Sequence, residues 1–561
     1  MPVCADCSSA DCDTAATNPP SGRENDLVTR TLLRGGYVHS PADPHASALC
    51  IEDGQVVWTG DDDASVHFAD NADRIIELEG RLVTPAFVDA HVHLAQSGLA
   101  AASVDLGATA SIAEALDVLA DFAATSTLPV VLGFGWDETL WPEQRSFTRE
   151  EVDRAVGARP AYLSRVDVHS AVVSTAFLND APRITGVEGY RADGTVARDA
   201  HHEARAEMFR MIPLSASEEA IGGALRQAAR VGIGMVHELA APHISPVEDF
   251  AIIRSLRDRL VLPAVVGYWG ELDGLRIARD LGCVGVAGDL CADGAIGSRT
   301  AALHAPYTDA DTRGHLYLDA DQVTEHVLAC TAADLQAGFH VIGDRAVSAI
   351  VDGFRRAARD LGAPALVRAR HRLEHVEMIG PEDIATLAEL GVTASVQPMF
   401  DRMWGGEKSL YAQRLGADRA RSMNPFASLS RAGVALAFGS DSPVTPFDPW
   451  GAVRAAAWHQ TEEERITVRA AFNAHTRGGW RAARLDDGGV IAPGAPASVA
   501  VWDVPGDLLV QTPDARVAAW STDPRAGVPR LPDLHPDLEL PSCVLTLVDG
   551  EVAFEETGAL T

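Results

Sequence analysis

The sequence predicts an α/β protein built on an eight-stranded (β/α)8 TIM barrel, with a large insertion after its first strand and a small β-sandwich made from both chain ends. Three observations lead there. Through the middle of the chain, apolar runs of strand length alternate with Ala/Arg/Glu-rich helical stretches such as EEAIGGALRQAARVG and VSAIVDGFRRAARDLG, the pattern of parallel β/α units buried on both faces. Both ends of the chain instead carry short alternating strands with Asp-Gly turns, IEDGQVV near the start and CVLTLVDGEVAF near the end, a hairpin signal. Polar residues, histidines above all, gather where the apolar runs stop, which is the rim at which barrel enzymes place their chemistry.

Residues 1–27 are rich in Ser, Asp and Ala and read as a disordered tail; Cys4, Cys7 and Cys12 lack the fourth ligand of a structural zinc site. Residues 28–84 form the first part of the sandwich. Residues 85–484 hold the barrel, and ten strand candidates lie within them. Two of these, VVLGFGWD and YLSRVDVHS, fall in an interval at about 105–225. With that interval set aside as an insertion, eight runs remain, near residues 86–93, 233–239, 262–269, 283–292, 339–343, 372–377, 392–398 and 434–441, the number a closed barrel requires. Residues 485–561 return to the sandwich.

Composition narrows the function. A chain of 561 residues with 47% hydrophobic content can bury a large core. Its formal charge of -33 would repel rather than neutralise a phosphate backbone, which argues against nucleic acid. There is no apolar stretch of membrane-spanning length and no secretory start, and Cys50, Cys283, Cys291, Cys330 and Cys543 are scattered singly, so a cytoplasmic protein away from membranes is expected.

The stretch TPAFVDAHVHLAQSG places His91, His93 and Asp89 two residues apart, hence on one face of a strand. Alone, an H-x-H marks a strand end emerging into solvent as readily as half a metal site. The fifth run ends GFHVIGD with His340, the sixth reads HRLEHVEMI with His375, and the eighth stops at Asp441 in VALAFGSDSPVTP. A buried histidine or a capping aspartate has an ordinary explanation singly; gathered at one rim, four imidazoles and a carboxylate form the ligand set of zinc and its first-row neighbours.

These motifs resemble the amidohydrolase superfamily of metal-dependent hydrolases, and FVDAHVHL, DGAIGSRTAAL, HVIGDRAV, LEHVEMI, SVQPMF and GSDSPV are similar to its YtcJ-like branch (amidohydrolase family 3). The resemblance covers nearly all the chain after residue 28. It implies a divalent metal, zinc first among candidates, and hydrolysis of a C–N bond in a non-peptide amide, with an N-substituted formamide or N-acyl amine as the type. Many relatives bridge two metals with a carboxylated lysine on strand four, four residues before the Asp of the Asp-Gly pair, here Asp293. That position holds Asp289, and Lys408, the only lysine in the chain, lies elsewhere. Aspartate is shorter than carboxylated lysine by about 5 Å, so one tight metal on His91, His93, His340 and Asp441 is expected. His375 would touch substrate or serve a weaker second ion, and Asp289 would stand behind the ligands or serve that weaker site. Asp441 is expected to be both ligand and proton shuttle, and His375 to donate to the oxyanion of the reacting carbonyl. Trp136, His169, Asp293, Arg299 and Trp404 are candidates to bind a small-molecule substrate, although packing of the insertion explains Trp136 and an ion pair explains Arg299 equally well. A metal-dependent isomerase, hydratase or decarboxylase on the same barrel, an inactive metal-binding relic, and homo-oligomerisation all stay open at this point.

Overall fold

The computed structural model describes residues 29–511, 520–521 and 528–560; the amino-terminal tail and its three cysteines lie outside them. Eight parallel strands form one sheet in sequential order: β1 Phe87–Val92, β2 Ile233–Ala240, β3 Ala264–Trp269, β4 Gly285–Val286, β5 Gln336–Val341, β6 Arg372–His375, β7 Thr393–Val396 and β8 Leu436–Phe438. The sheet curls until β8 meets β1. The Asp441 amide donates to the His91 carbonyl (2.8 Å), the His93 amide to the Ser442 carbonyl (3.1 Å), and Val92 bridges Ser442. The molecule is therefore a TIM-like α/β barrel. All eight sequence runs fall on these strands, but β4 is far shorter than residues 283–292. Gly288 turns at φ 87, so Asp289 leaves the ladder and points toward the barrel mouth.

The barrel interior is not uniformly apolar. Arg372 on β6 is fully buried, donates to Glu374 (2.6 and 3.0 Å), to the Ala90 carbonyl (2.6 Å) and to Ser395 (3.0 Å), and lies 4.5 Å over the Tyr268 ring. Every direction in which this cation faces is met by an acceptor or a π face, which is the condition for burying a charge at all.

Between β1 and β2 the chain builds a separate five-stranded sheet, ordered Thr195–Ala197, Ser170–Val173, Ala161–Arg165, Val131–Trp136, Val104–Asp105. The two surplus runs are its central strands. It has its own core of Leu106, Leu119, Trp136, Trp141 and Phe147. The chain ends form a four-stranded and a five-stranded sheet, the second joining Leu82–Pro85 to Val499–Asp503 and Ser542–Val548. Leu33, Leu49, Ile76, Val499, Val501 and Leu545 share one apolar cluster between them. Both Asp-Gly turns take left-handed φ at each position, 47 and 79 for Asp53-Gly54, 48 and 80 for Asp549-Gly550, the tight-hairpin geometry their residue types favour.

Helix Leu94–Ala101, which opens directly after His93, crosses helix Leu214–Arg230 with Gly98 against the Ala220 backbone. A Cβ at Gly98 would collide with that backbone, whereas Gly223 on the same long helix faces open space. Gly98→Ala is expected to destabilise the fold by about 1–3 kcal/mol through overpacking, and Gly223→Ala to leave it unchanged or stabilise it by up to about 1 kcal/mol. Thermal unfolding of the two variants tests this; equal melting temperatures would refute the close crossing.

Candidate metal centre

The carboxyl ends of β1, β4, β5, β6 and β8 converge. His93 Nε2 lies 3.2 Å from both Asp289 Oδ2 and Asp441 Oδ1, and His91 Nε2 lies 3.5 Å from Asp289 Oδ1 and 3.4 Å from Asp441 Oδ1. His340 Nδ1 is 3.8 Å from Asp289 Oδ1. The His375 ring centroid is 4.9 Å from that of His91 and 4.4 Å from that of His340. Two overlapping triads of donor atoms result, His91/His93/Asp441 and His91/Asp289/His375, each drawn together within 4.8 Å.

Of the two places expected for Asp289, behind the ligands or at a weaker second site, the geometry favours the second, since it stands among the histidines. The backbone makes up the missing reach. Gly288 adopts φ 87, and Gly270 has no Cβ where the Asp289 backbone passes. His375 and Asp441 also sit at left-handed φ, 70 and 56, conformations that non-glycine residues adopt at a cost and that concentrate at functional sites.

Hydrogen bonds orient the rings. His91 Nδ1 donates to Glu374 Oε2 (2.9 Å), which Arg372 holds in turn, and His375 Nδ1 donates to Gln397 Oε1 (2.8 Å). In both rings this leaves Nε2 as a lone pair facing the cluster. The buried atoms His91 Nε2, His375 Nε2, Asp289 Oδ1 and Asp441 Oδ1 have no hydrogen-bond partner. Buried polar atoms are otherwise almost always satisfied, so this donor set fits a cation, and imidazole nitrogen with carboxylate oxygen suits a first-row divalent metal. It also favours one of the two roles expected for His375, service to a second ion, over contact with the substrate. A neutral imidazole whose proton is on Nδ1 offers Nε2 as a ligand and has no proton there for an oxyanion.

Electrostatics agree. Burial would lower the His93 pKa, but the Asp289 and Asp441 carboxylates hold it up at about 10. Burial would raise Asp289, yet His93 and His91 keep it well below the ordinary carboxylate value. Burial, reinforced by His340 and His91, lowers His375 to about 3. Two carboxylates thus demand positive charge at one point.

A narrow cavity opens beside the cluster, lined by His340, His375, Asp441, Arg165, Asp167, His169, Glu377, Phe400, Trp404 and Tyr411, with Phe400 stacked on His375 (6.0 Å between centroids) and His169 5.0 Å from His340. Of the expected substrate residues, His169 and Trp404 line it. Trp136 does not: its indole donates to the Leu163 carbonyl (2.9 Å) and its ring packs on Trp141 and Phe147. Asp293 accepts the amides of Ile342, Gly343 and Ala302, locking the loop after β5 from a fully buried position. Arg299 pairs with Asp309 at 2.7 Å and is absent from the cavity wall. Arg165 and Asp167 escaped the sequence reading, although they precede His169 at steps of two, the spacing that marked His91 and His93. Glu377 likewise follows His375 by two. Phe400 and Tyr411, on short helices after β7, carried no such signal.

A sequence profile described as Amidohydrolase family matches residues 74–554. The chain is 26% identical to Protein LONG AFTER FAR-RED 3 of Arabidopsis thaliana over 86% of its length and 89% of that protein. It is 24% identical to Putative amidohydrolase YtcJ of Bacillus subtilis over 78% of its length and 85% of that protein. A crystal structure of an uncharacterized metal-dependent hydrolase from Pyrococcus furiosus superposes with a TM-score of 0.67 at 26% identity, covering 84% of this chain and 98% of the other.

The raised His93 pKa has a thermodynamic consequence in the metal-free protein. A group at about 10 when folded, against an ordinary 6.5, contributes stability that is whole below pH 6.5 and lost as pH climbs through 10. In chelator, the unfolding temperature is therefore expected to fall across that window, and a divalent cation, replacing the proton, to lessen the fall. A chelated protein whose unfolding temperature is flat or rising from pH 6.5 to 10 would contradict the charge assignment.

Proposed function

The chain belongs to the amidohydrolase family, and from that premise we propose that it hydrolyses the C–N bond of a small non-peptide amide, an N-substituted formamide or N-acyl amine. The observation that carries this reading is the set of unpartnered buried donor atoms at the carboxyl ends of the barrel strands, opening onto a cavity. His91, His93 and Asp441 would hold one tight divalent ion, zinc by ligand type. His340, expected on the same ion, lies on its Asp289 side, and Asp289 and His375 would serve a weaker second. What such an ion supplies is Lewis acidity, which lowers the pKa of water and polarises a carbonyl.

The protein's own groups do the rest. Asp441, held by its amide on the His91 carbonyl and reaching both the cluster and the cavity, accepts the proton of the attacking water and returns it to the departing nitrogen. Phe400, Trp404 and Tyr411 give the amine substituent an apolar wall. The five cysteines of the described residues are free, which supports a cytoplasmic enzyme; no helix among those residues is long and apolar enough to cross a membrane.

The test is amine release from a panel of formamides and N-acyl amines by metal-loaded enzyme. Asp441→Asn, an exchange that a left-handed backbone tolerates, is expected to keep the fold and most of the metal while lowering kcat by about 10²–10⁴. Full activity in that variant would remove the shuttle. A metal-loaded protein inert toward every amide would remove the hydrolytic reading.

A further inference from the structure

One wall of the cavity is built around a guanidinium outnumbered by carboxylates. Arg165 is buried, and Asp137 (3.1 Å), Glu138 (2.9 Å) and Asp167 (3.0 Å) all approach it. Arg414 shares Glu138 (2.5 Å) and also pairs with Asp309 (2.7 Å), as Arg299 does (2.7 Å). Within this network three guanidinium groups face four carboxylates, leaving one negative charge uncompensated. Of those carboxylates only Asp167 lines the cavity.

Asp167 is fixed, with one oxygen held by the Arg165 charge at 3.0 Å outside hydrogen-bond geometry. Oδ1 accepts the Ser298 hydroxyl (2.8 Å) and the His169 amide (3.3 Å), whereas Oδ2, in a side chain 7% exposed, has no hydrogen-bond partner despite the nearby guanidinium. Gly297 leaves the space: a Cβ there would strike Arg165 Nη1 and Asp167 Oδ2. The same cavity presents Glu377, whose Oε2 accepts the Tyr411 hydroxyl (2.5 Å), and the rings of Phe400, Trp404 and Tyr411, with centroid separations of 4.8 and 6.3 Å along that series. Carboxylates backed by aromatic faces are the combination that recognises an organic cation.

We propose that this wall of the cavity, formed by Asp167, Glu377, Phe400, Trp404 and Tyr411, binds a cationic amine on the substrate, so that the preferred substrate carries an ammonium group in addition to the bond that is cut. The assignment of the cation to a substrate rests on the hydrolytic reading of the same cavity; the binding of a cation does not.

The experiment compares three N-formyl benzylamines with the metal-loaded enzyme, carrying at the para position aminomethyl (cationic), ethyl (neutral and of similar size) or carboxylate. The aminomethyl compound is expected to exceed the ethyl compound in kcat/KM by about tenfold or more, mainly through KM, with the carboxylate poorest. Asp167→Asn is expected to bring the ratio of the first two close to one. Equal use of the cationic and neutral compounds, or preference for the carboxylate, with Arg165 then the recognising group, would overturn the proposal. If none is hydrolysed, quenching of tryptophan fluorescence by benzylamine and by benzyl alcohol separates the two readings. Tighter binding of the amine keeps the cation site while the hydrolytic reading falls, and equal binding overturns the site itself.

Discussion

A guanidinium sealed inside the barrel, Arg372, sets the terms for the chemistry above it. It ties Glu374 in place from β6, and Glu374 holds His91 Nδ1 on β1, so one buried cation fixes both the tautomer and the tilt of a metal-facing imidazole. The bond works across strands: Arg372 also donates to the Ala90 carbonyl on β1 and Ser395 on β7. Removing the arginine would leave Glu374 buried without its counter-ion, a situation far costlier than the pair itself is stabilising. The ion pair is thus better understood as an orienting device than as a source of stability. Glu374 bears this out electrostatically. Burial would raise its pKa, but Arg372 and His91 keep it ionised, at about 2, so the acceptor beneath His91 persists throughout the range in which an imidazole can bind a metal.

Above that layer the logic reverses. Asp289 and Asp441 meet at one point among the imidazoles of His91, His93 and His340, whose pKa values they raise against burial. Folding brings like charges together there, and the backbone adopts left-handed φ at His375, Val376 and Asp441 to do it. A cation offsets both costs: His91 Nε2, which lacks a hydrogen-bond partner, lies 3.5 Å from Asp289 Oδ1 and 3.4 Å from Asp441 Oδ1, which lack one too. The strained residues lie at the ends of β6 and β8, next to well-packed strands that can sustain them.

Much of this was legible in the sequence, for identifiable reasons. The eight strands could be counted because parallel strands buried on both faces are continuous apolar runs bounded by helices, and His91, His93, His340, His375 and Asp441, which the structure gathers at one rim, could be picked out because each interrupts such a run at its end. What was not legible depended on the path of the backbone or on partners distant in sequence. Asp289 could be seen to be too short for the lysine position, but not that Gly288 and Gly270 let the chain carry it inward. Arg299 looked available until Asp309 folded onto it, and Trp136 until Leu163 supplied an acceptor for its indole. Asp293 stands in a motif beside the site, yet three backbone amides consume both its oxygens. Residue type and spacing report what a side chain can do, whereas its partners decide whether it is still free to do it.

The origins of the cavity walls carry a last consequence. The groups that face the metal centre come from barrel strands, whose positions are fixed by the closed sheet and by the Arg372 layer. Arg165, Asp167 and His169 come from the segment between β1 and β2, which has a core of its own, and Phe400, Trp404 and Tyr411 come from helices following β7. Changes in those segments alter charge and shape around a substrate and reach the metal-facing rings through Phe400 on His375 (6.0 Å) and His169 near His340 (5.0 Å), while the contacts of Arg165 with Glu138 and of Arg414 with Glu138 and Asp309 hold the segments together. That network is the physical link between the two, since Arg414, on a helix after β7, reaches Glu138 in the segment after β1. Selectivity in this protein is therefore expected to vary with the carboxylate count around Arg165, while reactivity stays with the barrel rim.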